Sequence, residues 1–189
     1  MPEAVIVSAA RSPIGRARKG SLASIRPDDL ATQMVAAALA KVPELDPTDI
    51  DDLMLGCGQP AGQSGFNIAR VVAVQLGYDF LPGVTVNRYC SSSLQTTRMA
   101  LHAIKAGEGD VFVSAGVESV SHLARGSSDF IPGEDLTNPQ FAEAIARTDR
   151  FAKGGSTWRD PREDGELPDV YVAMGQTAEN VARLRGLDR

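Results

Sequence analysis

The feature that most constrains the fold is an alternation of short apolar runs with amphipathic segments, joined by connections only a few residues long. "AVIVSAA" (4–10) reads as a strand, and Pro27 opens a helix on which Leu30, Met34, Ala37 and Ala38 recur at helical spacing. "DDLMLGC" (51–57) is a second apolar run, closed by Gly56 and Gly58, and "NIARVVAVQLG" (67–77) is a helix ending at Gly77. Val84 to Tyr89 is β-rich, Leu94, Leu101 and Ile104 mark one helical face, and Gly107 and Gly109 stop that helix. "VFVSAGV" (111–117) is almost wholly apolar, which predicts a strand buried on both faces. Strand, helix, strand, helix with short links predicts right-handed βαβ units, hence an α/β fold with a mostly parallel sheet flanked by helices.

Past Ser119 the composition changes. Stretches 121–139 and 153–169 are rich in Gly, Pro, Ser and charge, with one amphipathic piece, "PQFAEAIARTDRF", between them. Phe141, Ile145 and Thr148 share a face there, as expected of a surface helix within an elaborated loop region. We therefore divide the chain into an α/β domain, 1–119, and a second region, 120–189. The last segment, "YVAMGQTAENVARLRGLDR", begins a helix with little sequence left for it to pack on, as in an interrupted protein.

Several function classes are disfavoured by composition. No apolar run reaches the roughly 20 residues of a membrane span, and Met1–Ala10 enters a strand-like run without a basic leader, which makes the cytoplasm the default location. A net charge of -5 argues against general nucleic-acid binding. Two cysteines, Cys57 and Cys90, and two histidines, His102 and His122, are too few and too scattered for a disulfide framework or a metal site. "GCGQPAGQSG" lacks the glycine spacing of a dinucleotide fingerprint, and Pro60 interrupts it.

Cys90 stands out because it falls where the strand 84–89 hands over to a helix, and ligands of open parallel sheets bind at the carboxyl ends of strands. Unpaired amides and the positive end of the helix dipole favour a thiolate there, and the same amides can hold the oxygen of a carbonyl under attack. A packed small cysteine is the competing reading, and geometry alone does not decide between them. Cys57 is expected to be such a packed residue. Glu118, at the end of a strand, is expected to make a structural hydrogen bond, with acid–base chemistry as the alternative.

"VNRYCSSSLQ" followed by "AGEGDVFVSAGVESVS" resembles the nucleophile segment of the thiolase family, the acyl-CoA C-acyltransferases. "SAARSPIG" resembles that family's opening strand and turn, "GFNIAR" its loop and helix before the third strand, and "MGQTAENVA" the first helix leading into its loop, or lid, domain. Together these segments span nearly the whole chain in the family's order. The resemblance implies an N-terminal thiolase half, with 120–189 the start of the lid domain and the C-terminal domain absent.

It also implies a reaction. Cys90 attacks the 3-keto carbon of a 3-oxoacyl-CoA, acetyl-CoA leaves, and free CoA lifts the shortened acyl group off the sulfur; run backwards, two acyl-CoA units condense. The Cys90 amide would serve an oxyanion hole, and Met174 matches a methionine lining the substrate pocket. No permanently bound cofactor or metal is implied, since coenzyme A enters as substrate. The partners implied are CoA thioesters and a second copy of the chain, as a homodimer or dimer of dimers joined through the strand 84–89, with no nucleic acid and no membrane span. Arg147, Arg150, Lys153, Arg159 and Arg162 fall in the region corresponding to the CoA-covering domain, with solvated surface as the simpler expectation for each.

The departures from the family pattern are specific. Ser91 stands where glycine is usual after the nucleophile, and it can cap the helix it precedes. Ala173 stands where short-chain biosynthetic members tend to carry His, so the lean is toward degradative 3-oxoacyl-CoA thiolases over acetoacetyl-CoA-forming ones. The activating histidine, the Asn-containing motif and the second cysteine of the family have no counterparts here. His102 shares a helix face with Arg98 and Lys105 and is expected to be solvated, and His122 to be an ordinary hydrogen-bonded residue. A non-catalytic half-unit that needs a C-terminal half, and a related ketoacyl-synthase-type condensing enzyme, are the alternatives.

Overall fold

A computed structural model describes residues 3–125, 128–154 and 159–188, without the side chains of residues 124 and 125. The chain divides into two compact units, Met1–Glu134 and Asp135–Arg189.

The first unit is built on three parallel strands, β1 (Asp52–Gly56), β2 (Gly83–Val86) and β3 (Phe112–Gly116), in the order β2-β1-β3. Leu53 lies opposite Gly83 on one side of β1 and opposite Val113 on the other, so β1 is the enclosed strand and carries the fully buried Leu53 and Leu55. The helices α1 (Pro27–Leu39), α2 (Ile68–Gln75) and α3 (Ser92–Ala106) complete the α/β arrangement. Ala31 and Val35 of α1, Ile68, Ala69, Val72 and Ala73 of α2, and Ile50, Leu53, Leu55, Cys57 and Leu81 form one core.

Two helix faces differ from the pattern of large apolar residues. On α1 the inward line is Ala31 and Val35, one position on from Leu30 and Met34. On α3 the buried residues are Ser92, Thr96, Ala100 and Ala103, while Leu94 is 72% exposed. Glycines explain the second case. A Cβ at Gly56 would lie 2.4 Å from the Ser93 nitrogen, and one at Gly116 would lie 2.7 Å from the Ser93 Cβ. Helix α3 therefore meets the ends of β1 and β3 at backbone distance, where only small side chains fit.

Two expected strand properties are not met. Residues 4–10 pair with no strand among the described residues, and Val5, Ile6 and Val7 are 69%, 81% and 74% exposed. Strand propensity without a ladder partner leaves only tethers, from Ser8 Oγ to the Ala38 carbonyl (2.7 Å) and from Lys41 Nζ to the Ala9 carbonyl (2.6 Å). The strand in 111–117 is not buried on both faces either, because β3 is an edge of this sheet and Ser114 and Gly116 are exposed.

The "GFNIAR" segment is structural wiring. Asn67 adopts φ 53° at the start of α2 and makes no cap; instead its Nδ2 donates to the Gly83 carbonyl (2.8 Å) and its Oδ1 accepts from Thr85 Oγ1 (2.8 Å). Thr85 Oγ1 in turn accepts from the Ala69 amide (3.2 Å), so a β2 side chain caps α2. The Arg70 guanidinium donates to the carbonyls of Asp79 and Leu81 (both 2.6 Å), fixing the return from α2 to β2.

In the second unit, the helix α4 (Ala142–Ala152) buries Ala144 and Phe151, and Arg183 of α5 (Met174–Arg185) stacks 5.0 Å from the Phe151 ring. No described helix is long and apolar enough to cross a membrane, and no group of three or more potential metal ligands occurs among the described residues.

Candidate active site

Strand β2 ends at Val86, and the chain enters a single 3-10 turn, Tyr89–Ser91, that runs directly into α3. Cys90 is the middle residue of that turn and is exposed. Tyr89, just before it, has φ 46°, a left-handed conformation costing a non-glycine residue about 1–2 kcal/mol. Ser92 holds the turn closed. Its Oγ, on a residue only 4% exposed, accepts from the Arg88 amide (2.8 Å) and donates to the Tyr89 carbonyl (2.6 Å). Ser91 occupies the cap position of α3 without a side-chain cap bond.

The amides around Cys90 are accounted for: Tyr89 donates to Asn87 Oδ1 (2.8 Å) and Ser91 to the Arg88 carbonyl (3.0 Å). Among the described residues no acceptor is placed against the Cys90 amide. The turn thus offers an exposed thiol and an available N–H at one point, the two groups that acyl transfer to sulfur requires.

Cys90 lines an open cavity of about 500 Å³ at the carboxyl ends of the strands. Its walls come from Gly56, Gly58 and Gln59 after β1, from Tyr89 to Ser93, and from Gly116 to Glu118 and Val120 after β3. Glu118 also braces the wall: its Oε2 accepts from the Gly58 amide (2.8 Å), and its Oε1 lies 3.9 Å from Cys57 Sγ. Burial pushes the Cys57 thiol up, and the Glu118 charge pushes it further; at 1% exposure Cys57 is a packed residue.

Neither histidine lines this cavity. His102 is exposed on α3, and His122 Nε2 lies 3.0 Å from the Ile25 carbonyl. Met174 is the first residue of α5, in the second unit, and is 75% exposed. Of the basic residues there, Arg147 pairs with Glu166 (2.9 Å), Arg159 with Asp164 (2.9 Å) and Arg162 with Asp160 (2.5 Å). Sequence reasoning missed Ser92 and Gln59, which line the cavity, and Asp129, whose Oδ2 accepts from Gln59 Nε2 (2.6 Å). The triple serine concealed which hydroxyl turns inward, and no local pattern joins residue 59 to residue 129.

The family model for the thiolase N-terminal domain matches residues 4–189. The chain belongs to the thiolase family. Among curated thiolases, the 3-ketoacyl-CoA thiolase of Bacillus subtilis is 37% identical over 190 residues, covering 100% of this chain and 41% of that protein. The 3-ketoacyl-CoA thiolase of Shewanella frigidimarina is 40% identical over 191 residues, covering 100% and 42%. A beta-ketoadipyl-CoA thiolase of Acinetobacter baylyi is 35% identical over 190 residues, covering 100% and 44%. The chain thus spans roughly two-fifths of the length of these thiolases.

Proposed function

We propose that this chain carries the nucleophile half of a CoA-dependent thiolytic acyltransferase acting on 3-oxoacyl-CoA, with Cys90 as the nucleophile. The observation carrying this reading is the exposed Cys90 in a closed turn at the mouth of a strand-end cavity, beside its own available amide. The Cys90 sulfur attacks the 3-keto carbon, and the amide holds the developing oxyanion. The bond between C2 and C3 breaks, its electron pair passes to the acetyl-CoA carbanion, and a proton quenches that carbanion. The sulfur of free CoA then attacks the acyl carbon, the bond from that carbon to the Cys90 sulfur breaks, and the proton of the CoA thiol passes to Cys90, releasing a shortened acyl-CoA. Sulfur suits both halves, being a good nucleophile as thiolate and a tolerable leaving group from a thioester.

In this reading 1–119 is the nucleophile domain, 120–189 begins the lid, and Met174 lines the acyl pocket. A degradative role is favoured by the 3-ketoacyl-CoA thiolases among the relatives. Because no described histidine lines the Cys90 cavity, the base that activates the thiol is assigned to residues outside 1–189. Self-association is assigned to β2. The amides of Leu53 and Cys57 donate to the carbonyls of Pro82 and Val86, so by strand alternation the main-chain groups of Thr85 face the open edge, while the Gly83 carbonyl on that side is taken by Asn67 Nδ2.

The test is thiolysis followed by loss of 3-oxoacyl-CoA enolate absorbance after CoA is added. Residues 1–189 alone are expected to be inactive, and the same residues joined to a thiolase C-terminal half to be active, with Cys90→Ala abolishing the activity. Turnover by 1–189 alone at about one per second or faster would overturn the assignment of the base.

A further inference from the structure

We propose that Glu118 is a positioning residue for the nucleophile: by holding the Gly58 amide, its carboxylate keeps the loop after β1 seated against Tyr89 and so fixes the aim of the Cys90 sulfur. Main-chain pairing of the three strand ends stops just short of the cavity. Its last bonds run from the Cys57 amide to the Val86 carbonyl and from the Val117 amide to the Gly56 carbonyl, both at 3.0 Å. The next amide, that of buried Gly58, has no main-chain acceptor among the described residues and donates instead to Glu118 Oε2 at 2.8 Å. One side chain from beyond β3 thereby carries the pairing of β1 a residue further, into the cavity wall.

Gly58 in turn meets the segment that carries Cys90. A Cβ at Gly58 would lie 3.5 Å from both the Cα and the carbonyl oxygen of Tyr89, so the two main chains run side by side with no side chain between them. That same carbonyl accepts from Ser92 Oγ (2.6 Å), so Gly58 backs the closed turn at the residue before the nucleophile. The same Cβ would lie 2.7 Å from Glu118 Oε2, which leaves no room for a side chain at position 58 while the carboxylate stays on the amide. Without the carboxylate a buried amide is left unpaired, and the loop relieves this by turning its N–H toward the open cavity, where water takes the bond, and away from Tyr89. The role is geometric, so an uncharged acceptor serves as well as a carboxylate, and this separates it from acid–base chemistry.

This inference takes from the proposed function only the choice of Cys90 as the reacting atom, and its test reads a methanethiosulfonate nitroxide on Cys90, which any exposed thiol accepts. Electron paramagnetic resonance of that label reports the freedom of the turn, and peptide mapping confirms the labelled site. Glu118→Ala should shorten the label's rotational correlation time several-fold. Glu118→Gln keeps a carbonyl acceptor for the Gly58 amide, and its spectrum should match that of the unsubstituted protein. Gly58→Ala, which pushes the carboxylate off the amide, should loosen the label as far as Glu118→Ala does, and the double variant no further, because both break the same bond. An unchanged spectrum in either single alanine variant would overturn the proposal, and so would Glu118→Gln loosening the label as Glu118→Ala does. A control label on α3, at Arg98→Cys in a Cys90→Ala background, reads the fold as a whole; loosening there in step with Cys90 would also overturn it. In the joined protein, Glu118→Gln should keep most of the kcat that Glu118→Ala loses, with KM little changed in either. Loss of kcat in Glu118→Gln with the label still restrained would make the carboxylate an acid–base group and overturn the geometric role. Failure of thiolysis in the joined protein before any substitution, with the label spectra as expected, would leave the positioning role standing and remove only the function.

Discussion

The two cysteines lie just past neighbouring strands of one sheet and end in opposite situations. After β1, which is paired on both sides, the chain turns back beneath Glu118 and leaves Cys57 1% exposed with its thiol pushed up by burial. After β2, an edge strand, it passes through a turn with a left-handed residue and presents Cys90 to the cavity. The same residue type at the same end of the same sheet becomes packing in one case and a candidate nucleophile in the other. The difference lies in the segment each strand runs into: a loop held by a carboxylate, or a turn that starts a helix.

The largest expected effect tests that contrast directly. Iodoacetamide at neutral pH should label Cys90 at least ~100-fold faster than Cys57, because a buried thiol reacts only through opening of the structure. Peptide mapping reads both sites at once, and equal rates in folded protein would erase the distinction. Next comes the close approach of α3 to the strand ends. Gly56→Ala should cost about 3 kcal/mol in urea unfolding, since the new Cβ meets backbone at 2.4 Å. Gly62→Ala, at φ 57° but with open space around it, should cost about 1 kcal/mol. Equal costs would mean that α3 does not seat on β1 as described.

The edge position of β2 gives a smaller effect. Thr85→Pro removes an N–H that faces the open edge, and should weaken self-association by about tenfold, the loss of one ladder hydrogen bond of roughly 1.4 kcal/mol. Thr85→Val separates this from the α2 cap, because it loses the hydroxyl and keeps the N–H; light scattering on both variants distinguishes the two. The smallest effect concerns pH. Because the folded state raises the Cys57 thiol, the unfolded chain ionises first, so the stability gained is complete below the ordinary thiol value and is lost as pH rises toward the folded one. The unfolding free energy measured in urea should decline above about pH 8.5 by at most ~1.4 kcal/mol per pH unit, and Cys57→Ala should flatten that decline.

Much of this was legible in sequence. Apolar runs bounded by glycine located β1 and β3, Pro27 located α1, and the strand–cysteine–serine–helix order located the turn, because each rests on interactions between near neighbours. The buried face of α3 was not legible. Leu94 looked like core, but Gly56 and Gly116, distant in sequence, bring the backbones together and favour Ser92, Thr96 and Ala100 instead. Residues 4–10 read as a strand because pattern records propensity and not the presence of a partner. The hydrogen bond between Gln59 and Asp129 joins positions 70 apart in the sequence, a separation that no local pattern records.

Gly56 and Gly116 have a mechanical consequence. With no side chains interposed, the start of α3 rests on the main chain of the most enclosed strand, and the sulfur of Cys90 stands two residues from that seat. A reactive group carried on a long loop moves with the whole excursion of the loop, as the tip of a long lever. Here the lever is about as short as a polypeptide allows, so the sulfur shares the stiffness of the sheet, and small thermal displacements of the surrounding surface do little to its aim.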